Sequence, residues 1–210
     1  MEQRAIFLEG EGNGWWRRNA QALTHSHANA IRDPATDPVL KSLIQFKPAS
    51  VLEIGAANGW RLDVAHRLWG ARGYGIEPSA EAVADGAERF ADVTLQVGTA
   101  DKLPDAQFDC VVYGFCLYLC DRSDLFRIAA EGDRVLKPGG YLVILDFFPP
   151  HSYQNPYTHR PGVFAHKMDH SRLWSWHPAY VLWRHEVTAH EGKNPDEPNE
   201  RLGVTVLKKN

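Results

Sequence analysis

One acidic residue and a run of small residues are spaced as a nucleoside site requires. Val51-Leu52-Glu53-Ile54 is a short apolar run carrying one carboxylate, and Gly55-Ala56-Ala57-Asn58-Gly59 follows it before Trp60. Gly55 and Gly59 let backbone approach a ligand with no Cβ in the way. The helix start behind them presents unpaired N–H groups. Glu77 stands 18 positions after Gly59, in Tyr74-Gly75-Ile76-Glu77. A carboxylate at the end of a second strand accepts hydrogen bonds from both hydroxyls of a ribose. Taken alone, Glu77 reads equally well as a charge at the start of the next helix. The glycine turn at this distance favours the nucleoside.

A second group of reactive side chains lies late in the chain. Seven of the ten histidines follow residue 150: His151, His159, His166, His170, His177, His185 and His190. His159, His170 and Tyr118 are the candidates for proton transfer to or from an acceptor, or for orienting it. His166 and His170 lie four apart and would share a helix face, as zinc ligands do. No HExxH pattern accompanies them, and no metal site is expected. Cys110, Cys116 and Cys120 fit neither a zinc nor an iron–sulfur spacing and are expected to be free thiols packed among apolar neighbours.

These residues need a frame that alternates strand and helix. Strands are expected at Ser50–Ile54, Gly73–Ile76, Val93–Val97, Asp109–Tyr113 and Tyr141–Asp146. Helices are expected at Trp60–Trp69, at Ser79–Phe90 with Ser79 as cap, and at Arg122–Leu136, stopped by Pro138-Gly139-Gly140. Such units predict a parallel sheet covered on both faces, with right-handed crossovers. Residues 1–49 are too short for a domain. They carry helices at Trp15–Leu23 and, behind Asp37 and Pro38, at Pro38–Phe46, and read as a helical arm or lid. Residues 50–210 form the main domain. Within it the rhythm breaks over 147–178, a substrate-binding insertion rich in Pro, His, Tyr and Trp. Tyr180–Ala189 and Arg201–Lys208 then read as two antiparallel strands at one sheet edge.

Composition sets the outer limits. The chain has 210 residues, 44% apolar and 23% charged, with a net charge of -3, as expected of one globular domain. No basic run marks a nucleic-acid partner. No apolar stretch reaches the ~20 residues of a membrane span, and Met1-Glu2-Gln3-Arg4 has no signal-peptide core. A cytoplasmic enzyme with a small-molecule partner is the expectation; the oligomeric state stays open.

Three further stretches complete the pattern: Val97-Gly98-Thr99-Ala100-Asp101, Phe108-Asp109-Cys110-Val111-Val112-Tyr113-Gly114-Phe115 and Val135-Leu136-Lys137-Pro138-Gly139-Gly140. From Val51 through Asp146 the chain resembles the class I S-adenosylmethionine-dependent methyltransferases. Trp16-Arg17-Arg18-Asn19, the run Gly114–Arg122 and His159–Phe164 also look like a bacterial subgroup of small methyltransferases, often linked to surface-polysaccharide or unusual-sugar biosynthesis. The resemblance implies a Rossmann-like α/β doubly wound sheet, mostly parallel with an antiparallel edge strand, in the order 3-2-1-4-5-7-6.

It also implies site roles. Glu53, Gly55, Ala56 and Gly59 would shape the loop around the methionine part of S-adenosylmethionine, and Glu77 would hold the ribose. Thr99, Ala100 and Asp101 would sit by the adenine, with either Thr99 or Asp101 bonding its exocyclic amine. Phe115 would lie near the sulfonium, and Arg18 would pair with the cofactor carboxylate under a lid of Trp15 and Trp16. Ala57 replaces the usual middle glycine. The implied reaction is methyl transfer to a small-molecule or sugar-linked acceptor, yielding S-adenosylhomocysteine. A non-catalytic cofactor-binding partner or sensor is the alternative. A nicotinamide-dependent reductase is disfavoured, because Arg61 stands at the third glycine place and no Tyr is followed four residues later by Lys.

Overall fold

The computed structural model describes residues 2–210. Its centre is a seven-stranded sheet with β1 (Ser50–Ile54), β2 (Arg72–Glu77), β3 (Val93–Val97), β4 (Phe108–Gly114) and β5 (Leu136–Phe147) all parallel. Beyond β5 lie β9 (Arg201–Lys209) and β8 (Tyr180–Ala189), giving the order β3-β2-β1-β4-β5-β9-β8. With β8 and β9 counted as the sixth and seventh strands, this is the expected order. One detail differs. The antiparallel strand is β9, one place in from the edge, while the edge strand β8 runs in the sense of β1 to β5.

Helices cover both faces. α4 (Trp60–Trp69) follows β1, α5 (Ala80–Arg89) follows β2 and α6 (Leu125–Val135) precedes β5. Ser79 caps α5, accepting the Ala82 N–H at 3.1 Å, as a short side-chain oxygen does at a helix start. α6 begins after a tight turn at Arg122–Asp124 and ends before the Pro-Gly-Gly turn, because Leu136 already pairs with Phe108 in the sheet. All five residues of β1 are buried, which is why its sequence is apolar apart from Ser50, bonded to Asp109, and Glu53.

The N-terminal region is more helical than expected. A short helix α1 (Gln3–Ile6) and a wide turn over Phe7–Glu11 lead into α2 (Gly12–Arg32), well past Leu23. α2 continues because Leu23 and Ala30 pack on the main core and His27, between them, bonds Asp63 of α4 at 2.8 Å, while Thr24, His25 and Asn29 face outward. α3 (Pro38–Phe46) starts where Asp37 accepts the Leu40 N–H at 2.9 Å. The stretch after β5 folds into a small hairpin, β6 (Tyr153–Pro156) with β7 (Phe164–Lys167), then the single turn α7 (Arg172–Ser175). His166 therefore lies on a strand and His170 beyond it, so the two share no helix face. Among the described residues no helix is long and apolar enough to cross a membrane.

Candidate active site

The carboxyl ends of β1 to β4 open into one pocket enclosing about 830 Å³ of empty space, part of it open to solvent. It lies where the strand order reverses between β1 and β4, the place where open α/β sheets bind ligands. Gly55, Glu77, Thr99, Ala100, Asp101 and Phe115, all expected at the site, line it.

Glu77 closes the middle of the wall. Its Oε2 accepts the Ala57 N–H at 2.9 Å and its Oε1 accepts the Ser79 N–H at 3.0 Å. Burial pushes its pKa up to about 7, against the pull of those two bonds. A carboxylate oxygen has two lone pairs, so each one keeps an acceptor site for a ribose hydroxyl. Gly55 has φ 72, and a Cβ there would stand 2.7 Å from the Cys116 Cβ. That position admits only glycine without a shift of the β4 loop. Ala57 is left-handed at φ 51, and its buried methyl packs with Trp16 and Ala82. The methyl that replaces the usual glycine thus supports the arm.

Four expected residues stand behind the wall instead of on it. The Glu53 carboxylate receives the Arg61 guanidinium at 2.8 Å, and the same guanidinium donates to Asp37 at 3.0 Å. Burial pushes the Glu53 carboxyl up while Arg61 pulls it down. This buried bridge ties the arm to β1 and α4, and explains why Arg61 occupies a position that dinucleotide sites give to glycine. Gly59, at φ 78, faces Val93 and Leu95 of β3, and Ala56 is buried. Arg18 pairs with Glu11 and donates to the Tyr157 hydroxyl at 3.1 Å, so its guanidinium is engaged outside the pocket.

At the β3 end of the pocket, the Thr99 hydroxyl donates to Asp101 Oδ1 at 2.6 Å, and the Arg4 guanidinium pairs with Asp101 Oδ2. Burial raises the Asp101 carboxyl, but these two partners outweigh it and hold it below the usual range. Arg4, Phe7 and Gly12 of the arm line the pocket beside Trp15. The sequence pointed to Trp15 alone. Arg4 gave no signal, because its partners Asp101 and Asp124 lie about a hundred residues away. Cys116 and Cys120 also line the pocket, with thiols that burial pushes up.

Phe115 joins this pocket to an aromatic wall. It has φ 66, a left-handed backbone that a large side chain adopts only when its surroundings impose it. Its ring lies 4.9 Å from Tyr118, 5.0 Å from Phe147 and 5.6 Å from His190, between centroids. Tyr118, a proposed acceptor-orienting group, is buried in this wall. Burial raises its hydroxyl pKa, so it stays a neutral phenol. His159 is exposed, edge-on to Tyr157 at 5.3 Å. His170 is enclosed by protein, with Nδ1 3.5 Å from Asp146 and Nε2 3.4 Å from Arg122. The structure does not bring His159 or His170 onto the pocket wall.

Residues 52–144 match the family model described as a methyltransferase domain. Demethylmenaquinone methyltransferase of Tropheryma whipplei (strain Twist) is 32% identical over 110 residues, 51% of this chain and 45% of that protein. Ubiquinone/menaquinone biosynthesis C-methyltransferase of Rubrivivax gelatinosus is 39% identical over 85 residues, 39% of this chain and 33% of that one. The match with such curated relatives thus spans half their length or less. Among solved structures, 1,6-didemethyltoxoflavin-N1-methyltransferase of Burkholderia thailandensis shares the fold, with a TM-score of 0.66 at 16% identity, over 92% of this chain and 89% of that one. The glycine turn on β1, the acid ending β2, the strand order and the family match lead to one assignment: residues 52–144 are a class I S-adenosylmethionine-dependent methyltransferase domain.

Proposed function

We propose that the protein transfers a methyl group from S-adenosylmethionine to a small molecule carrying a flat aromatic ring. The observation behind this reading is the packing of Phe115, on the pocket wall, against the rings of Tyr118, Phe147 and His190. Ring faces and edges at these separations suit another planar ring. The relatives' own names, which refer to quinone and toxoflavin precursors, point the same way. A sugar-linked acceptor, suggested by the sequence resemblance, fits less well, since glycosyl groups are held by many hydroxyl hydrogen bonds and this wall is largely aromatic.

The cofactor's sulfonium supplies an already activated methyl group. The chain's residues have the tasks of orientation and exclusion of water. Glu77 fixes the ribose and Gly55 admits the methionine backbone. Phe115 separates the cofactor from the acceptor wall, and the arm residues Phe7 and Trp15 cover the pocket. Tyr118 orients the acceptor as a neutral hydroxyl. His159 lies at the outer surface, beside Tyr157, where only an acceptor reaching past the arm would meet it.

Calorimetry with S-adenosylhomocysteine, followed by transfer of labelled methyl to a panel of phenols, quinols and nucleotide sugars, tests the reading. Labelling of planar aromatic compounds is expected. Label on nucleotide sugars alone would favour the sugar-linked acceptor. Binding with no transfer to any lysate fraction would favour the non-catalytic sensor, and no binding would end the proposal.

A further inference from the structure

A second pocket lies largely open to solvent between the β6–β7 hairpin and the turn before α6, with about 580 Å³ of empty space that includes open solvent. Arg122, Ser152, Tyr153, Gln154, His166 and Lys167 supply its polar lining, and Met168 completes it. Every one of those polar groups can donate a hydrogen bond, and none is a carboxylate.

Two cations meet here without an anion. Among the described residues, neither Arg122 nor Lys167 has a carboxylate within 4 Å. Arg122 donates to the Leu117 and Cys120 carbonyls at 2.9 and 2.8 Å, reaches toward the Met168 sulfur at 3.3 Å, and leaves its buried Nε with no partner. Lys167 is 7% exposed. It donates to the Asn199 carbonyl and side chain at 3.1 Å each, and its ammonium stands 3.8 Å from the centre of the Phe147 ring. Burial lowers the pKa of Arg122, Lys167 and His166 alike. Asp146 and Asp121 act on Arg122, and Glu200 and Asp146 on Lys167, only from beyond ion-pair distance, against the burial that lowers both. Half-buried charge without a carboxylate in contact is costly. The nearest acids are committed elsewhere: Asp121 accepts the Gln3 and Arg4 N–H groups, and Asp146 accepts those of Phe147 and Tyr118. Glu200 lies 3.1 Å from His190 Nδ1.

We propose that this cavity binds a phosphoryl group borne by the methyl acceptor. Phe147 stands between the two sites: a buried ring on neither lining, it lies 5.0 Å from Phe115 at the cofactor pocket and under the Lys167 ammonium at the second pocket, so an acceptor spanning both must displace it. An acceptor with its ring beside Phe115 carries an anionic tail past Phe147 to Lys167 and Arg122. Two cations call for two negative charges, which a phosphate monoester or diphosphate supplies with several acceptor oxygens. A carboxylate supplies one charge and leaves a cation uncompensated. The phosphoryl class narrows the acceptor named above and rests on that reading; the anion site itself does not.

Inorganic pyrophosphate is the probe, titrated into the full chain by calorimetry with S-adenosylhomocysteine measured on the same samples. Pyrophosphate is expected to bind, and Lys167→Met to weaken it at least tenfold. Gln154→Glu, on an exposed strand position, introduces a carboxylate without disturbing the core and is expected to do the same. Both variants keep their S-adenosylhomocysteine affinity within about twofold. Pyrophosphate that fails to bind, binds both variants as it binds the wild type, or binds no more tightly than malonate overturns the phosphoryl site. Failure of S-adenosylhomocysteine to bind strikes the methyltransferase reading instead. Pyrophosphate bound in a way that leaves no competition with a phosphorylated acceptor, once one is labelled, would make the anion a free ligand and overturn the acceptor assignment.

Discussion

Asp146 and His170 face each other with Oδ1 and Nδ1 3.5 Å apart, and neither side chain reaches solvent. Asp146 ends β5 and accepts the N–H groups of Phe147 at 2.8 Å and Tyr118 at 3.2 Å. It thereby fixes the backbone of two rings of the aromatic wall beside Phe115, and His170 stands behind it. Burial pushes the Asp146 pKa up to about 7, and burial with the nearby Arg122 pushes that of His170 down to about 3. The pair is therefore held near neutrality without exchanging a full charge.

The two shifts act on stability with opposite signs. The folded chain holds His170 neutral between about pH 3 and its ordinary value near 6.5, where the unfolded chain takes up a proton. Stability from this group is present above that window and is lost as the pH falls through it. Asp146 is protonated in the folded chain up to about pH 7, so its contribution falls as the pH rises from about 4 to 7. In urea unfolding at pH 7.5 and 5.0, His170→Gln is expected to lose about 2 kcal/mol less on acidification than the wild type. Asp146→Asn is expected to lose more than the wild type. Parallel pH profiles for wild type and both variants would show that neither group is shifted.

Glu77 gives cofactor binding a pH dependence of its own. Its pKa of about 7 belongs to the empty pocket, where burial dominates. In the proposed binding mode two ribose hydroxyls donate to the ionised form, so binding is expected to draw the carboxyl toward ionisation and release a proton. Affinity for S-adenosylhomocysteine is expected to rise about tenfold from pH 6 to pH 8. Glu77→Gln should bind weakly and with a flat profile, and Glu77→Ala more weakly still. Calorimetry in buffers of different ionisation enthalpy reads the released proton directly. An equal slope in wild type and Glu77→Gln would place the titrating group elsewhere.

The parts of this site that lie within one βα unit were legible in the sequence. β1, α4 and β3 run over the residues expected, because apolar runs, glycine turns and the Ser79 cap act locally. Glu77 was readable because its distance from Gly59 is set by one helix and one strand. What depended on distant partners was not. In the hairpin, β6 alternates half-buried and exposed residues and β7 buries only Ala165 and Lys167, and β6 is fastened through Asn199, more than forty residues on, by Tyr153 and Asn155. No local pattern announces it. His170 shows the same limit: its residue type suggested a proton carrier, while its full enclosure between Asp146 and Arg122 comes from the folding of 147–178 over β5.

Arg4 joins the arm to the β3 end of the pocket through Asp101 and, at 3.5 Å, Asp124. Its side chain is 28% exposed, and partly exposed ion pairs contribute about 0.2–1 kcal/mol. Arg4→Ala should therefore change stability by less than about 1 kcal/mol. Its larger effect is expected on kinetics, since it releases the arm from the pocket mouth while Gln3 still holds Asp121 and Leu119. Stopped-flow displacement should show S-adenosylhomocysteine leaving several-fold faster, with a smaller change in the rate of entry. An unchanged release rate would mean that the arm does not gate the pocket.

Gly86 on α5 supports the cofactor loop from outside, in a way that sequence spacing did not disclose. A Cβ at this position would stand 2.3 Å from the Asn58 carbonyl oxygen and 2.3 Å from the Leu95 side chain. Leucine can turn aside, but the carbonyl belongs to the backbone between Ala57 and Gly59. Gly86→Ala must therefore displace either α5 or the loop, although alanine is the better helix former by about 1 kcal/mol. Overpacking of this kind costs about 1–3 kcal/mol, so a net loss of stability in urea unfolding is expected. A shift of the loop also moves the Ala57 N–H away from Glu77 Oε2, which should weaken S-adenosylhomocysteine about tenfold. Gly70→Ala, at a helix end with no atom within 4 Å of its Cβ, is the control: its strain lies in the backbone at φ 73, and it should lower stability while leaving ligand affinity alone. If the two variants lose affinity equally, the loss follows from general destabilisation and the contact between Gly86 and the loop has no specific role.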